Sequence, residues 1–178
     1  MNGGRIESAF TGTLIADSAL SFVELNGNVV FAQDDAAEQV TIENQIEGLG
    51  SIEQQGPGNL IVGKASPGIA SASVTGGTLT FADMMSCTNC MVGANAELRL
   101  THAGSLMPGA VVSVAGSGTL NLDFDEGVLV LDRLTVGGCA VRRGEYGTAT
   151  ERPLPLGLEG TGTLRVLHGA GGMTIQFH

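Results

Sequence analysis

The sequence predicts an all-β chain wound into a parallel β-helix of about 20 residues per coil. Three observations carry that expectation. A strand of one form recurs: a small or polar pair, then Leu, then alternation. It appears in Gly12-Thr13-Leu14-Ile15, Gly58-Asn59-Leu60-Ile61-Val62, Gly77-Thr78-Leu79-Thr80-Phe81, Ala96-Glu97-Leu98-Arg99-Leu100, Gly118-Thr119-Leu120-Asn121-Leu122 and Gly162-Thr163-Leu164-Arg165-Val166. The spacing is nearly constant, with 19 residues from Leu60 to Leu79, 19 from Leu79 to Leu98 and 22 from Leu98 to Leu120. Helical periodicity, in contrast, is almost missing.

The elements follow in chain order. Residues 1–47 repeat less regularly and read as atypical first coils or a cap. Their best helical segment, Asp34-Asp35-Ala36-Ala37-Glu38-Gln39-Val40, is too short to stand alone, and a turn explains it equally well. Residues 48–178 hold the repeats and a closing segment, so the whole chain is one continuous domain. Between the Leu runs lie secondary strands at Ile69–Val74, Met91-Val92, Val111–Val114 and Val128–Leu131. Two or three short strands with sharp bends make one coil. A lone coil cannot bury its inward residues, whereas stacked coils share an aliphatic core. Equal spacing of equivalent Leu residues is not demanded by a sandwich or jelly roll. Dividing the length by the period gives about eight or nine coils, a stack about 40 Å tall at one strand spacing per coil. The stretch 144–160, with Pro153-Leu154-Pro155-Leu156, reads as a loop leaving the stack. The last strand, 172–178, is apolar and without an evident cap, so it packs on the stack or meets another chain. Self-association through the β-helix ends is therefore expected.

Composition agrees. The 28 Gly among 178 residues are about twice the usual share and suit coil corners, where φ is often positive. Aromatics make up only 4% and Trp is absent, yet 43% of residues are hydrophobic and mean hydropathy is +0.24, which excludes a disordered linker. The formal charge is −10, concentrated in residues 1–98, where eleven acids face only Arg5 and Lys64. Such a balance argues against nucleic acid, whose phosphates need Lys and Arg, and reads as a solvated acidic surface. No apolar run reaches the ~18 residues of a transmembrane helix, so no membrane insertion by this segment is expected. The opening Met1–Glu7 has neither a basic nor an apolar signal region.

The repeats resemble the autotransporter-associated β-strand repeat, or passenger-associated transport repeat, of bacterial surface proteins. The likeness rests on Gly48-Leu49-Gly50-Ser51-Ile52, Gly58-Asn59-Leu60-Ile61-Val62-Gly63 and Val74-Thr75-Gly76-Gly77-Thr78-Leu79. The usual Tyr-x-Gly in the middle is replaced by Lys64-Ala65-Ser66-Pro67-Gly68. A second stretch resembles the segment that closes such arrays: Leu131–Gly138, Val141, Gly144-Glu145-Tyr146-Gly147 and Gly160–Val166. Together they span residues 48–166, and their simple motifs specify fold better than activity. The resemblance implies a right-handed parallel β-helix, exported to the cell surface or secreted as part of a larger precursor. The family's signal peptide and its barrel or sorting tail are not seen in this chain.

Candidate sites are few. Asp123 and Asp125, alternating about Phe124, are the carboxylate pair on which a glycosidase or lyase reading rests, since inverting glycosidases use two acids across a sugar. With Glu126 they are also a weak Ca²⁺ candidate, lacking the full calcium-loop pattern. Cys87 and Cys90 form one C-x-x-C, read as a local disulfide or a pair of thiols, while Cys139 reads as a small buried hydrophobe. Zinc would need two more ligands, and His102, His168 and His178 show no paired spacing. His102 and His168 read as strand-end turn residues, and Arg142-Arg143 as a solvated loop pair. No cofactor is expected. The resulting expectation is a non-enzymatic structural or adhesive module with a glycan or host-surface ligand, without a deep pocket. The alternative is a carbohydrate-active β-helix using surface carboxylates.

Overall fold

The computed structural model describes residues 4–8, 12–14, 22–148, 150 and 152–169, with side chains from residue 22 onward. The strand 172–178 lies outside the described residues. Among those described there is no α-helix; the elements are nineteen strands. In chain order they begin with β1 (Gly4–Ser8), β2 (Gly12–Leu14), β3 (Phe22–Leu25), β4 (Asn28–Gln33), β5 (Gln39–Ile42), β6 (Gln45–Gly48) and β7 (Gly50–Gln55). Next come β8 (Asn59–Val62), β9 (Ile69–Val74), β10 (Thr78–Phe81), β11 (Asn89–Val92), β12 (Glu97–Leu100), β13 (Ala110–Val114) and β14 (Thr119–Leu122). The last are β15 (Val128–Val136), β16 (Cys139–Ala140), β17 (Gly144–Tyr146), β18 (Leu158–Gly160) and β19 (Thr163–Val166).

These strands stack in parallel into a β-solenoid. The long sheet runs β1-β4-β7-β9-β11-β13-β15-β19-β17, and the second sheet runs β18-β14-β12-β10-β8-β5-β2. Between Val29 and Leu134, inward positions of the long sheet meet at Val29, Ile52, Ala72, Cys90, Val112 and Leu134, giving steps of 23, 20, 18, 22 and 22 residues. These five regular turns are fewer than length divided by period suggests. Residues are diverted into the ends: Ile6 to Phe31 takes 25 residues, and Leu131 to Val166 takes 35.

The recurring Leu residues are equivalent in space as well as in sequence. Val40, Leu60, Leu79, Leu98, Leu120 and Leu158 form one in-register ladder, and Ile42, Val62, Phe81, Leu100 and Leu122 form the next. Every member is buried, because a parallel stack in register places like positions directly over one another and the pleat turns them all inward. Two predicted members depart from this ladder, Leu14 by pairing with Ile42 in the second one. Leu164 pairs with Leu129 in the long sheet, and Leu158 takes its expected place. The reason is the long excursion after Val136, which returns one strand earlier than the repeat implies.

Each coil has two kinds of bend. Short corners join the long sheet to the second sheet at 34–38, 56–58, 75–77, 93–96 and 115–118. At the first, Asp35 Oδ1 accepts a bond from the Ala37 amide at 2.9 Å, the side-chain turn that the Asp-Asp pair allows. Gly77 shows why such corners need glycine. Its φ is +60°, and a Cβ there would lie 2.1 Å from the Gly58 carbonyl oxygen in the coil below. The third side is longer and mostly irregular (63–68, 82–88, 101–109), with β3 and β6 paired at its N-terminal part.

At the C-terminal end the long sheet finishes in an antiparallel edge. Strand β17 lies antiparallel on β19, and Tyr146 from it is buried with its hydroxyl donating to the Arg142 carbonyl at 2.7 Å. A three-residue antiparallel strand offers little edge for a further chain to pair with. The predicted loop 144–160 is thus strand at both ends, β17 and β18, around an irregular middle.

Candidate functional site

The outward face of the long sheet is where the repeat presents side chains in rows. One row is Asn28, Ser51, Ser71, Asn89 and Val111; the next is Glu53, Ser73, Met91 and Ser113. Together they line a shallow open groove across five coils. The rows are built by alternation: Ile52, Ala72, Cys90 and Val112 point into the core, so their neighbours must point out. Neighbouring coils are tied by side-chain bonds along these rows. Ser51 Oγ donates to Asn28 Oδ1 at 2.9 Å, and Thr135 Oγ1 donates to Ser113 Oγ at 3.0 Å. Met91 and Val111 add the apolar part and are exposed. Sequence reasoning identified these strands but did not pick out their outer rows, because Ser and Asn at outward positions look like ordinary solvated pleat.

Asp123, Asp125 and Glu126 lie in the bend after β14, beyond the strand on which their alternation was read. Phe124 is buried and the three acids are exposed. The two aspartates are engaged by different coils. Asp123 Oδ2 accepts from Nε of Arg99 at 2.9 Å and from its Nη2, on the coil below. Asp125 Oδ1 accepts from Thr161 Oγ1 at 2.9 Å, beyond the excursion. Among the described residues no three His, Cys, Asp or Glu side chains gather as a metal-holding group.

The other predicted residues fall into local roles. The Gly104 amide donates to Nδ1 of His102 at 2.9 Å in an exposed turn. His168 Nδ1 lies 2.6 Å from Asp132 Oδ1, and Arg165 pairs with Glu145 at 2.8 Å across the closing strands. Arg142 and Arg143 are exposed, and the Arg143 carbonyl accepts from Arg152 Nη1 at 3.2 Å. Cys139 is exposed, against the expectation of a buried hydrophobe, because it sits in the two-residue strand β16 that folds back on β15 outside the core.

Cys87 and Cys90 are both buried thiols, their sulfurs 3.2 Å apart. The contact splits them. The hydrogen bond from Cys90, aided by the backbone at Asn89 and Ala72, pulls the Cys87 thiol below the usual range against the opposing effect of burial. The same bond, burial and the charge of Cys87 push Cys90 well above it.

A buried amide pair was not foreseen. Gln54 occupies an inward position of β7, and its Nε2 donates to Gln33 Oε1 at 2.6 Å, to the Gln55 carbonyl at 3.1 Å and to the Gly58 carbonyl at 3.2 Å. Gln33 Nε2 in turn donates to the Asn59 carbonyl at 3.1 Å. This network fills the corner at 56–58, adding a donor to the Gln55 carbonyl and a second one to the Gly58 carbonyl, which also accepts from the Thr78 amide at 3.0 Å. Two glutamines one coil apart were the available signal.

The fold and this outer face define the chain as a parallel β-solenoid that bears a shallow open face on its long sheet. No family model matches it, and no curated protein or solved structure matches it. Among the described residues no helix is long and apolar enough to cross a membrane.

Proposed function

We propose that the chain is a non-enzymatic structural and adhesive β-helical module of a cell-surface or secreted protein. On this reading it acts as a stalk or passenger segment whose outer face meets a glycan or another extended surface ligand. The supporting observation is the groove on the long sheet. It repeats Ser and Asn side chains coil by coil, at the ~4.8 Å spacing of strands, beside the apolar Met91. A periodic, open surface suits an extended polymer that repeats on a similar scale, whereas small-molecule sites are concave and enclosing. Core ladders continuous from coil to coil make the stack a stiff support for such a face. The aspartates are held separately, Asp123 through Oδ2 by Arg99 and Asp125 through Oδ1 by Thr161, each on a different coil.

A glycan-array and cell-surface binding screen tests this. Ser73→Arg, which places a long charged side chain in the groove, is expected to abolish binding, while Asp123→Asn and Asp125→Asn leave it unchanged. Cleavage of a polysaccharide that disappears in Asp123→Asn or Asp125→Asn would overturn the reading in favour of a carbohydrate-active β-helix.

A further inference from the structure

We propose that Cys87 and Cys90 form a redox-active dithiol, which a small peroxide oxidises to a disulfide within one coil. The geometry is prepared for it. The sulfurs lie 3.2 Å apart, and a disulfide at about 2.05 Å requires closing little more than an ångström. The backbone that carries them is pinned on both sides. Cys90 is paired with Ala72 below and Val112 above. The Cys87 carbonyl accepts from the Met107 amide at 3.1 Å, the Thr88 amide donates to the Ala70 carbonyl at 3.1 Å, and the Thr88 carbonyl accepts from the Val111 amide at 2.8 Å. Side-chain rotation alone therefore has to bring the sulfurs together, with the corner already in place.

The two thiols are unequal in the way a nucleophile and its resolving partner are. The contact between the sulfurs lowers the pKa of Cys87 and raises that of Cys90, so of the two thiols Cys87 is the one on which thiolate is favoured. The thiolate is the reactive form. Both sulfurs sit in the core, so a bulky oxidant is excluded while a peroxide scarcely larger than water is not. Cys90 turns inward from β11, whose outward neighbours Asn89 and Met91 line the groove.

The chemistry balances. The Cys87 thiolate attacks one oxygen of hydrogen peroxide; the O–O bond breaks, and the departing hydroxide takes a proton to become water. Cys87 is then a sulfenic acid. The Cys90 thiol loses its proton and attacks the Cys87 sulfur, forming the S–S bond and expelling the hydroxyl group as a second water. Two thiols and one peroxide give one disulfide and two waters. The product fastens the third side of the coil to the long sheet and is reversible by a thiol reductant. This proposal is independent of the ligand on the outer face.

The experiment uses the full chain carrying Cys139→Ser, an exposed position remote from the core. The reduced protein is treated with hydrogen peroxide, quenched in acid, denatured and alkylated, then weighed intact. The expected result is that both remaining thiols vanish together, with loss of two hydrogens, no added oxygen, and full recovery on reduction. In the same background Cys90→Ala is expected to stop at the sulfenic acid, trapped on Cys87 by dimedone, while Cys87→Ala gives no such adduct at Cys90. Thiols lost one at a time, disulfide-linked dimers, or two thiols that persist would each overturn the proposal. So would a dimedone adduct on Cys90 instead of Cys87. The first measurement needs no core substitution, so it stands even if the alanine variants fold poorly.

Discussion

Leu98→Ala tests the claim that the core is a set of stacked ladders. Leu98 is 1% exposed and sits in register between Leu79 and Leu120, both fully buried. Removing three carbons forfeits about 2.4 kcal/mol of transfer energy at ~0.8 kcal/mol per methylene. The cavity term adds to this, and here it is close to its full size. The coils above and below are fixed by backbone bonds such as Glu97 N to Gly77 O at 2.9 Å and Thr119 N to Ala96 O at 2.9 Å, so neither can settle into the gap. The expected loss is about 3–4 kcal/mol, within the range of ~2–5 seen for buried Leu→Ala. Urea unfolding followed by circular dichroism measures it as a lower midpoint. Leu49→Ala is the control: Leu49 is 84% exposed, and its truncation is expected to stay within about 0.5 kcal/mol. A Leu98→Ala loss below about 1 kcal/mol, or one equal to that of Leu49→Ala, would refute the ladder as the source of stability.

Further outcomes follow from other parts of the coil. Gly77→Ala is expected to destabilise by about 1–3 kcal/mol, since it combines a left-handed φ of +60° with a Cβ driven into the Gly58 carbonyl; thermal unfolding of the variant checks it. Gln54→Leu strands Gln33 Oε1 in the core and is expected to cost about 1–3 kcal/mol. The double variant Gln33→Leu/Gln54→Leu is expected to lose less than the two singles summed, a coupling read from a double-mutant cycle in urea. For the thiols the direction with pH is set by the lowered Cys87 value. Its thiolate persists to lower pH in the folded chain than in an ordinary cysteine, so peroxide oxidation in the Cys139→Ser protein continues at pH values where the urea-unfolded chain has stopped reacting. Cys90→Ala removes the hydrogen bond responsible, and the midpoint of Cys87 oxidation is expected to move up.

The regular coils were legible in the sequence because one constraint fixes them. In a parallel stack the inward position repeats at one site per coil, so Leu60, Leu79, Leu98 and Leu120 announce both their spacing and their register. The limits of that reasoning have equally local causes. Leu164 carries the same local pattern, yet periodicity counts residues and cannot see an excursion that shifts the chain between sheets. Cys139 was read by residue type, whereas its exposure is set by a fold-back at β16 that its neighbours Gly137 and Gly138 permit, with φ of +57° and +78°. The Asp123 and Asp125 pair was visible as chemistry, but their partners Arg99 and Thr161 are 24 and 36 residues away and become neighbours only through stacking.

The same physics separates what the core says from what the surface can do. Inward positions are filled mainly by aliphatic side chains because of their neighbours above and below, with Phe81 and the bonded pair Gln33 and Gln54 as exceptions, so they speak mostly about fold. Outward positions have no such restriction, and residues that repeat there in rows are free to answer to a ligand. On the proposed function, the outer row Ser51, Ser71, Asn89 is the part of the chain that meets a ligand, even though each residue singly looks ordinary. Cys87 and Cys90 break the rule from the other side. They occupy buried core positions, and their sulfurs face each other. Packing explains two small buried hydrophobes at that corner, and the contact between their sulfurs is the added feature on which the proposed reversible closure of the coil rests.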